Sequence, residues 1–380
     1  MANAHNGHLF SLFPGLAFVA ALLLPGLDAA DVAPVPLRVN RSVPDDVMNR
    51  NFDRTDGWIG ADAIYSVPLP DRSVLWIFGD TLVGQIRDGK RRNLTMVNNS
   101  FAKQSGWGSE LTVQLFVNED AQGKPTSFIA PEDKPGYFWL WDAIVEQGKL
   151  YIFATRLTSP GTITAFDWKL LDQSLIVVDN PLDEPAKWTA RQFDFPFGAF
   201  TDSYEVIWGI EVLNVDDHIY VYGSAQHQRG GVRSLVVARV PRDQITDFDR
   251  WTFYRNGEWQ NDSKSASSLT DQIGTEGSVT YLPDRRKFIY VYSPPLNPTI
   301  MMRTASTPIG PWSEAVAIYE CPEVNWDSRI FCYAGKARLI PGTQNELLIT
   351  YATNSFDMLP HVTSDARVYY PRFVRATLTD

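Results

Sequence analysis

The stretch Gly60–Thr81 recurs in outline four more times along the chain, and a tandem repeat narrows the possible folds more than any other property of the sequence. Each copy runs small or aromatic residue, acid, apolar strand, polar turn, and then a second apolar strand rich in Tyr and Phe. The first copy is Gly60-Ala-Asp62 through Gly79-Asp80-Thr81, and the second is Trp139-Leu-Trp-Asp142 through Thr155. The third is Trp208-Gly-Ile-Glu211 through Gly223, and the fourth Ile273-Gly-Thr-Glu276 through Ser293. The fifth, Tyr333-Ala-Gly-Lys336 through Tyr351, keeps the pattern but has Lys in place of the acid. The copies recur roughly every 60–80 residues, longer than the common propeller repeats of about 40–50. Further short strands follow each hairpin: Met96–Phe101 and Leu111–Val117 in the first unit, Ile300–Thr304 and Ala315–Tyr319 in the fourth. Four strands per unit and five units predict an all-β chain, a five-bladed β-propeller with four-stranded blades. The fifth unit offers only one strand after its hairpin, Val368–Leu378. The N-terminal segment around Val35–Val39 is therefore expected to supply the outermost one, which closes the ring and hides an edge.

Composition agrees with this architecture. Aromatic residues make up 13% of the 380, with 12 Trp, and Gly and Pro number 25 each, while long amphipathic helical patterns are nearly absent. The net charge of −10 and the lack of a basic run argue against a nucleic-acid partner. An apolar run from Leu9 to Leu24, followed by Pro25 and the small residues Ala29 and Ala30, reads as a signal peptide over residues 1–30. A retained N-terminal anchor is the alternative. Residues 31–380 then form one domain, since no Pro/Ser-rich linker divides them, and the mature protein is secreted with no membrane segment. In an exported protein Cys321 and Cys332 suit either a disulfide or two reduced, partly buried thiols, and their spacing is not that of a zinc site. Asn40, Asn93, Asn98 and Asn261 begin N-x-Ser/Thr triplets.

The first hairpin also carries the chemistry. With its turn centred near Asp71, Asp62 lies opposite Asp80. Like charges so placed are destabilising, and two close carboxyls push their pKa values apart. If the first strand of every unit starts at one mouth of a central channel, Asp62, Asp142, Glu211 and Glu276 converge there, with Asp80 beside them and Lys336 from the fifth unit. Such a ring has two uses. One is to hold a cation such as Ca²⁺, which takes six to eight oxygen ligands. The other is glycoside hydrolysis, in which one carboxyl protonates the leaving oxygen and a second attacks or activates water. Trp58, Trp139, Trp141 and Trp208 near the strand starts tilt the choice toward a polysaccharide or oligosaccharide, because flat rings suit sugar faces; packing between blades is their other use. A Ser-His-Asp triad is not indicated, and histidine-ligated metals lack ligands, with five His in the chain.

Gly60-Ala-Asp62, Tyr65-Ser-Val-Pro-Leu-Pro-Asp71, Leu75-Trp-Ile-Phe-Gly-Asp80-Thr81 and Asn98-Asn-Ser100 resemble the opening of a secreted propeller family long known as a domain of unknown function, with endo-D-arabinanase members. More loosely the chain is similar to the five-bladed arabinanases and fructosidases. The resemblance implies a glycoside hydrolase of an arabinan-like, furanose-containing polysaccharide, requiring no cofactor, with Asp62 and Asp80 as its central carboxylates. In the looser relatives the first three blades supply a base or nucleophile, a modulating acid and a proton donor, by position Asp62, Asp142 and Glu211. Asp62 is thus the expected nucleophile or base, either Asp80 or Glu211 the proton donor, and Asp142 and Glu276 groups that tune pKa or hold substrate. Asn98, Asn99 and Lys336 are further candidates for substrate contact. A non-catalytic carbohydrate-binding propeller is the alternative reading.

Overall fold

Four-stranded antiparallel meanders dominate the structure, a computed structural model that describes residues 34–159, 168–228 and 230–379. The signal-like segment 1–30 lies outside the described residues. The first sheet runs Tyr65–Pro68, Val74–Phe78, Ser100–Ser105 and Thr112–Phe116. The second runs Tyr137–Glu146, Lys149–Thr158, Lys169–Val178 and Ala190–Phe195. The third is built on Glu205–Val215, His218–Gln226, Arg233–Pro241 and Thr252–Arg255, with three very short strands added at its margins. The fourth is Gly277–Leu282, Lys287–Tyr292, Thr299–Ala305 and Val316–Glu320. In the fifth, Ile330–Leu339, Glu346–Ser355 and Pro371–Leu378 are completed by Val39–Pro44. That last strand comes from the N-terminal side, as expected, a few residues later than Val35–Val39.

The order follows from alternation. Val74–Phe78 is buried along its whole length because both faces of its sheet are covered. Tyr65, Ile77, Phe138, Phe153, Trp208, Tyr222, Val279 and Tyr290 belong to one apolar cluster that runs from the first sheet to the fourth. A second cluster joins the first sheet to the fifth through Trp76, Phe78, Leu348 and Phe373. A third joins fourth to fifth through Ile289, Val291, Ile349 and Val374. Each sheet therefore packs on its neighbours, and the fifth returns to the first. The leading strands touch in the same order: Tyr65–Pro68 meets Tyr137–Glu146, which meets Glu205–Val215, then Gly277–Leu282, then Ile330–Leu339.

Two short helices seal the outside. Asp46–Phe52 is capped by the Asp45 carboxylate, which accepts from the backbone N–H groups of Val47 and Met48, an interaction that contributes about 1 kcal/mol. Met358–Ser364 precedes the final strand. Among the described residues no helix is long and apolar enough to cross a membrane. The two cysteines are not bridged: Cys321 and Cys332 are buried free thiols in the apolar cluster between the fourth and fifth sheets. A hydrogen bond to Cys332, with burial, drives the Cys321 thiol far above its usual pKa.

Candidate active site

The hairpin Gly60–Thr81 folds in the register its sequence implies, with Tyr65 opposite Ile77 and Pro68 opposite Val74. Beyond Tyr65 it breaks. Ala63 and Ile64 adopt positive φ angles of 67° and 61°, an uncommon conformation for residues with side chains and a rare one for a β-branched residue. On the far side of the break the two strands resume as Asp56–Ala61 and Thr81–Arg87, paired Ala61 to Thr81, in a separate three-stranded sheet with Lys90–Val97. The third strand breaks at the same level. The predicted strand Met96–Phe101 is instead the end of Lys90–Val97 and the start of Ser100–Ser105, divided at Asn98 and Asn99. Asp62, Asp80 and Asn98 thus sit side by side where three adjacent strands pass from one sheet into another.

The break brings the carboxyls together. Asp62 N–H donates to the Asp80 carbonyl at 3.3 Å, and Gly79 N–H donates to the Asp62 carbonyl at 3.1 Å. Asp80 Oδ1 accepts from Asn98 Nδ2 and from Trp139 Nε1, each at 3.0 Å. Asp62 Oδ2 accepts from the hydroxyls of Tyr333 at 2.7 Å and Tyr369 at 3.0 Å. Both aspartates are partly exposed. Burial of the carboxyl and then the Asp80 charge push Asp62 up to about 8, against the hydrogen bond from Tyr333. Burial also raises Asp80, opposed by Asn98 and Trp139, so that it reaches only about 6. The Asp80 charge acts directly on Asp62, because like charges held close together disfavour ionisation of both. One of the pair therefore holds its proton while the other is ionised.

Two of the later acids are more deeply buried. Each leading strand of the second, third and fifth sheets has a register shift at the matching place: Leu140/Ala143, Trp208/Glu211 and Tyr333/Lys336. A bulge re-aims the side chains around it. Here the carboxyls of Asp142 and Glu211 turn into the centre, where they are 1% and 2% exposed. Arg338 bridges them, with Nη2 at 3.2 Å from Asp142 Oδ2 and Nη1 at 2.6 Å from Glu211 Oε2. Burial raises both acids, Glu211 to about 8, and outweighs the nearby guanidinium. Burial acts against the Arg338 charge too, but Glu211 and Asp142 hold it above its usual value. Lys336, also buried, donates to Glu276 Oε2 at 2.6 Å and to the carbonyls of Ala63 and Ala334, and its ammonium lies 4.1 Å from the Tyr65 ring centroid. Burial lowers its pKa, against the Glu276 charge.

Several expected contacts are corrected by this geometry. The acids of the four units and Lys336 lie close enough to act on one another's charge, but they are not equally open: Asp62, Asp80 and Glu276 are partly exposed, whereas Asp142 and Glu211 are enclosed. Lys336 is committed to Glu276 and backbone carbonyls, so it has no donor for substrate. Asn99 is fully buried and clamps Ile129 and Phe138 through their backbones. Trp58, Trp141 and Trp208 are core residues whose indole N–H groups are taken by Ser100, Thr155 and the Phe197 carbonyl. Trp139 is the exception: half-buried, it holds Asp80 and packs against Trp168 at 5.2 Å and Tyr137 at 6.5 Å. Sequence reasoning missed Tyr333, Tyr369 and Arg338. The strand alternation that puts Arg338 two residues past Lys336, on the same face, is a signal that points to it.

A channel full of carboxylates would suit a calcium ion, but here the protein's own cations neutralise them. Arg338 holds Asp142 and Glu211, and Lys336 holds Glu276. Those three acids are thereby committed to the protein's own cations.

Residues 45–377 match a family described as "Domain of unknown function (DUF5005)". No curated protein matches the chain. Among solved structures, a provisionally named hydrolase from Bacteroides ovatus is similar at 18% identity and a TM-score of 0.69, covering 92% of this chain and 97% of its own. The RS223 β-xylosidase is 13% identical with a TM-score of 0.50, covering 87% of this chain and 94% of its own. The GH43_1 enzyme from Xanthomonas citri, in complex with xylotriose, is 12% identical with a TM-score of 0.50 and covers 89% and 92%. These likenesses concern the fold.

Proposed function

The chain belongs to the DUF5005 family, and from that premise we propose that it is an exported, five-bladed propeller glycoside hydrolase acting on a furanose-containing, arabinan-like polysaccharide. The observation that carries the reading is the pair Asp62 and Asp80, adjacent at a break in the strands and pushed to about 8 and about 6. The xylotriose-bound enzyme of similar fold and the aromatic residues beside Asp80 support a carbohydrate substrate, and the resemblance of the first hairpin supports its arabinan-like class. The apolar run Leu9–Leu24 supports export.

The roles proposed for the pair are the reverse of the order expected from sequence. Asp80 Oδ1 is held by two N–H donors, which favours the ionised form and leaves Oδ2 to attack the anomeric carbon. Asp62, kept protonated by burial and by the charge of its neighbour, gives its proton to the departing glycosidic oxygen. A glycosyl ester on Asp80 results. Asp62, now ionised, takes a proton from the water that breaks this ester, and Asp80 leaves as carboxylate. These steps describe a retaining enzyme, whose two carboxyls stand about 5–5.5 Å apart. Glu211 is enclosed with Arg338, which argues against it as proton donor; with Asp142 it sets the field at the centre. No metal is required for these steps.

The test is a reducing-end assay against arabinans, fructans and xylans, with Asp80→Asn and Asp62→Asn as controls. Release of reducing ends by the wild type and loss of more than about a thousandfold in either variant is expected, since each removes a covalent or proton-transfer role. A fully active Asp80→Asn protein would overturn the assignment.

A further inference from the structure

Next to Asp62, a second row of aromatic rings leads outward to an exposed phenylalanine. Tyr333, whose hydroxyl donates to Asp62 Oδ2, lies 5.4 Å from Phe331, and Phe331 lies 4.9 Å from Phe356, with interplanar angles of 42° and 36°. Phe331 and Tyr333 are two residues apart on the leading strand of the fifth sheet and so share a face. Phe356 follows the end of the adjacent strand Glu346–Ser355. It is 49% exposed, the only exposed phenylalanine among the described residues. Its backbone N–H donates to the Arg329 carbonyl, and Arg329 is paired with Asp327 and Asp357 at the margin of the row.

An exposed aromatic row edged by planar charged groups is poor as a protein surface, because it leaves aromatic area in water at a cost of roughly 25 cal/mol per Å². It suits a sugar, whose ring face is apolar and whose edge carries hydroxyls. The row is also continuous with the reacting pair through Tyr333, and Trp139 starts a comparable group on the Asp80 side. We propose that Phe331 and Phe356 form a carbohydrate subsite that seats the polysaccharide chain beyond the bond being cleaved. The proposal rests on the hydrolase reading above for the identity of its occupant.

The test compares wild type, Phe356→Ala, Phe331→Ala and Phe356→Tyr on two substrates. These are whichever of arabinan, fructan or xylan the wild type cleaves, and the shortest oligosaccharide of that polymer that it still cleaves. Loss of the Phe356 ring is expected to raise KM for the polymer roughly fivefold, the scale of one aromatic contact. It leaves kcat and the activity on the shortest oligosaccharide unchanged, and Phe356→Tyr restores KM. Unchanged polymer KM in both alanine variants, with wild-type melting curves, would overturn the subsite. Retardation in gels containing the same three polysaccharides separates this from the hydrolase reading. If the wild type cleaves none yet is retarded, and Phe356→Ala is not, the subsite stands and the hydrolase reading fails. If the wild type is neither active nor retarded, both fail.

Discussion

Asp62 is the residue on which the chemistry turns, and its environment makes opposite demands on activity and stability. With Asp80 needed as carboxylate and Asp62 as acid, kcat/KM is expected to follow a bell with limbs near pH 6 and pH 8, read as macroscopic values of the pair. The Tyr333 hydroxyl favours the ionised form of Asp62, so Tyr333→Phe should move the alkaline limb to higher pH, by about half a unit to one unit. Between pH 4 and 8 the folded protein keeps a proton that the unfolded chain has already released from Asp62. Stability therefore declines as pH rises through that window. Asp62→Asn removes this dependence, and its melting temperature is expected to exceed that of the wild type by a margin that grows from pH 5 to pH 8. Equal melting at every pH would mean that the native carboxyl titrates normally. The sequence made the Asp62–Asp80 pairing legible, since a turn centred on Asp71 fixes it by counting. It did not reveal which of the two keeps the proton, because that depends on burial and on Trp139, which holds Asp80 from another sheet.

At the scale of strands, the useful feature is the interruption itself. Asp62 lies where its strand departs from regular geometry, and Gly79 opposite has no side chain to obstruct it. A Cβ built on Gly79 would lie 2.6 Å from Asp62 Oδ1 and 3.3 Å from the Ala63 Cβ. Gly79→Ala should displace the carboxyl and lower kcat by about tenfold or more, with melting changed by only a few degrees, because the clash falls on a side-chain end. The five hairpins were legible through their alternation and turns. The division of the Met96–Phe101 run was not, because Met96, Val97 and Phe101 read as one apolar strand and only the neighbouring breaks force Asn98 and Asn99 apart. The same limit applies to the tryptophans: residue type and position were right for a sugar platform at four places, and burial removed three.

Across the whole molecule, the centre is tied by charge. Arg338 of the fifth sheet reaches Asp142 of the second and Glu211 of the third, so one side chain links three sheets. Replacing one partner of a buried pair leaves the others unpaired, and Arg338→Ala is expected to cost about 3–5 kcal/mol in chemical denaturation. The loss should be larger at pH 9 than at pH 6, since acid protonates the two carboxyls that have lost their partner. Alternation and repeat length were enough to read five sheets and a strand borrowed from the N-terminal side. The fifth unit's Lys336 was placed with the acids and read as a substrate contact, and its pairing with Glu276 was not legible, since contacts across a central axis have no local signature.

Val39–Pro44 pairs with Pro371–Leu378, and Arg375 holds Asp45 from 330 residues away along the chain. The segment that emerges early from the ribosome therefore waits, unpaired, until nearly the last residues have been made. The four earlier sheets lie wholly between these two segments, but the fifth is complete only when Val39–Pro44 and Pro371–Leu378 meet.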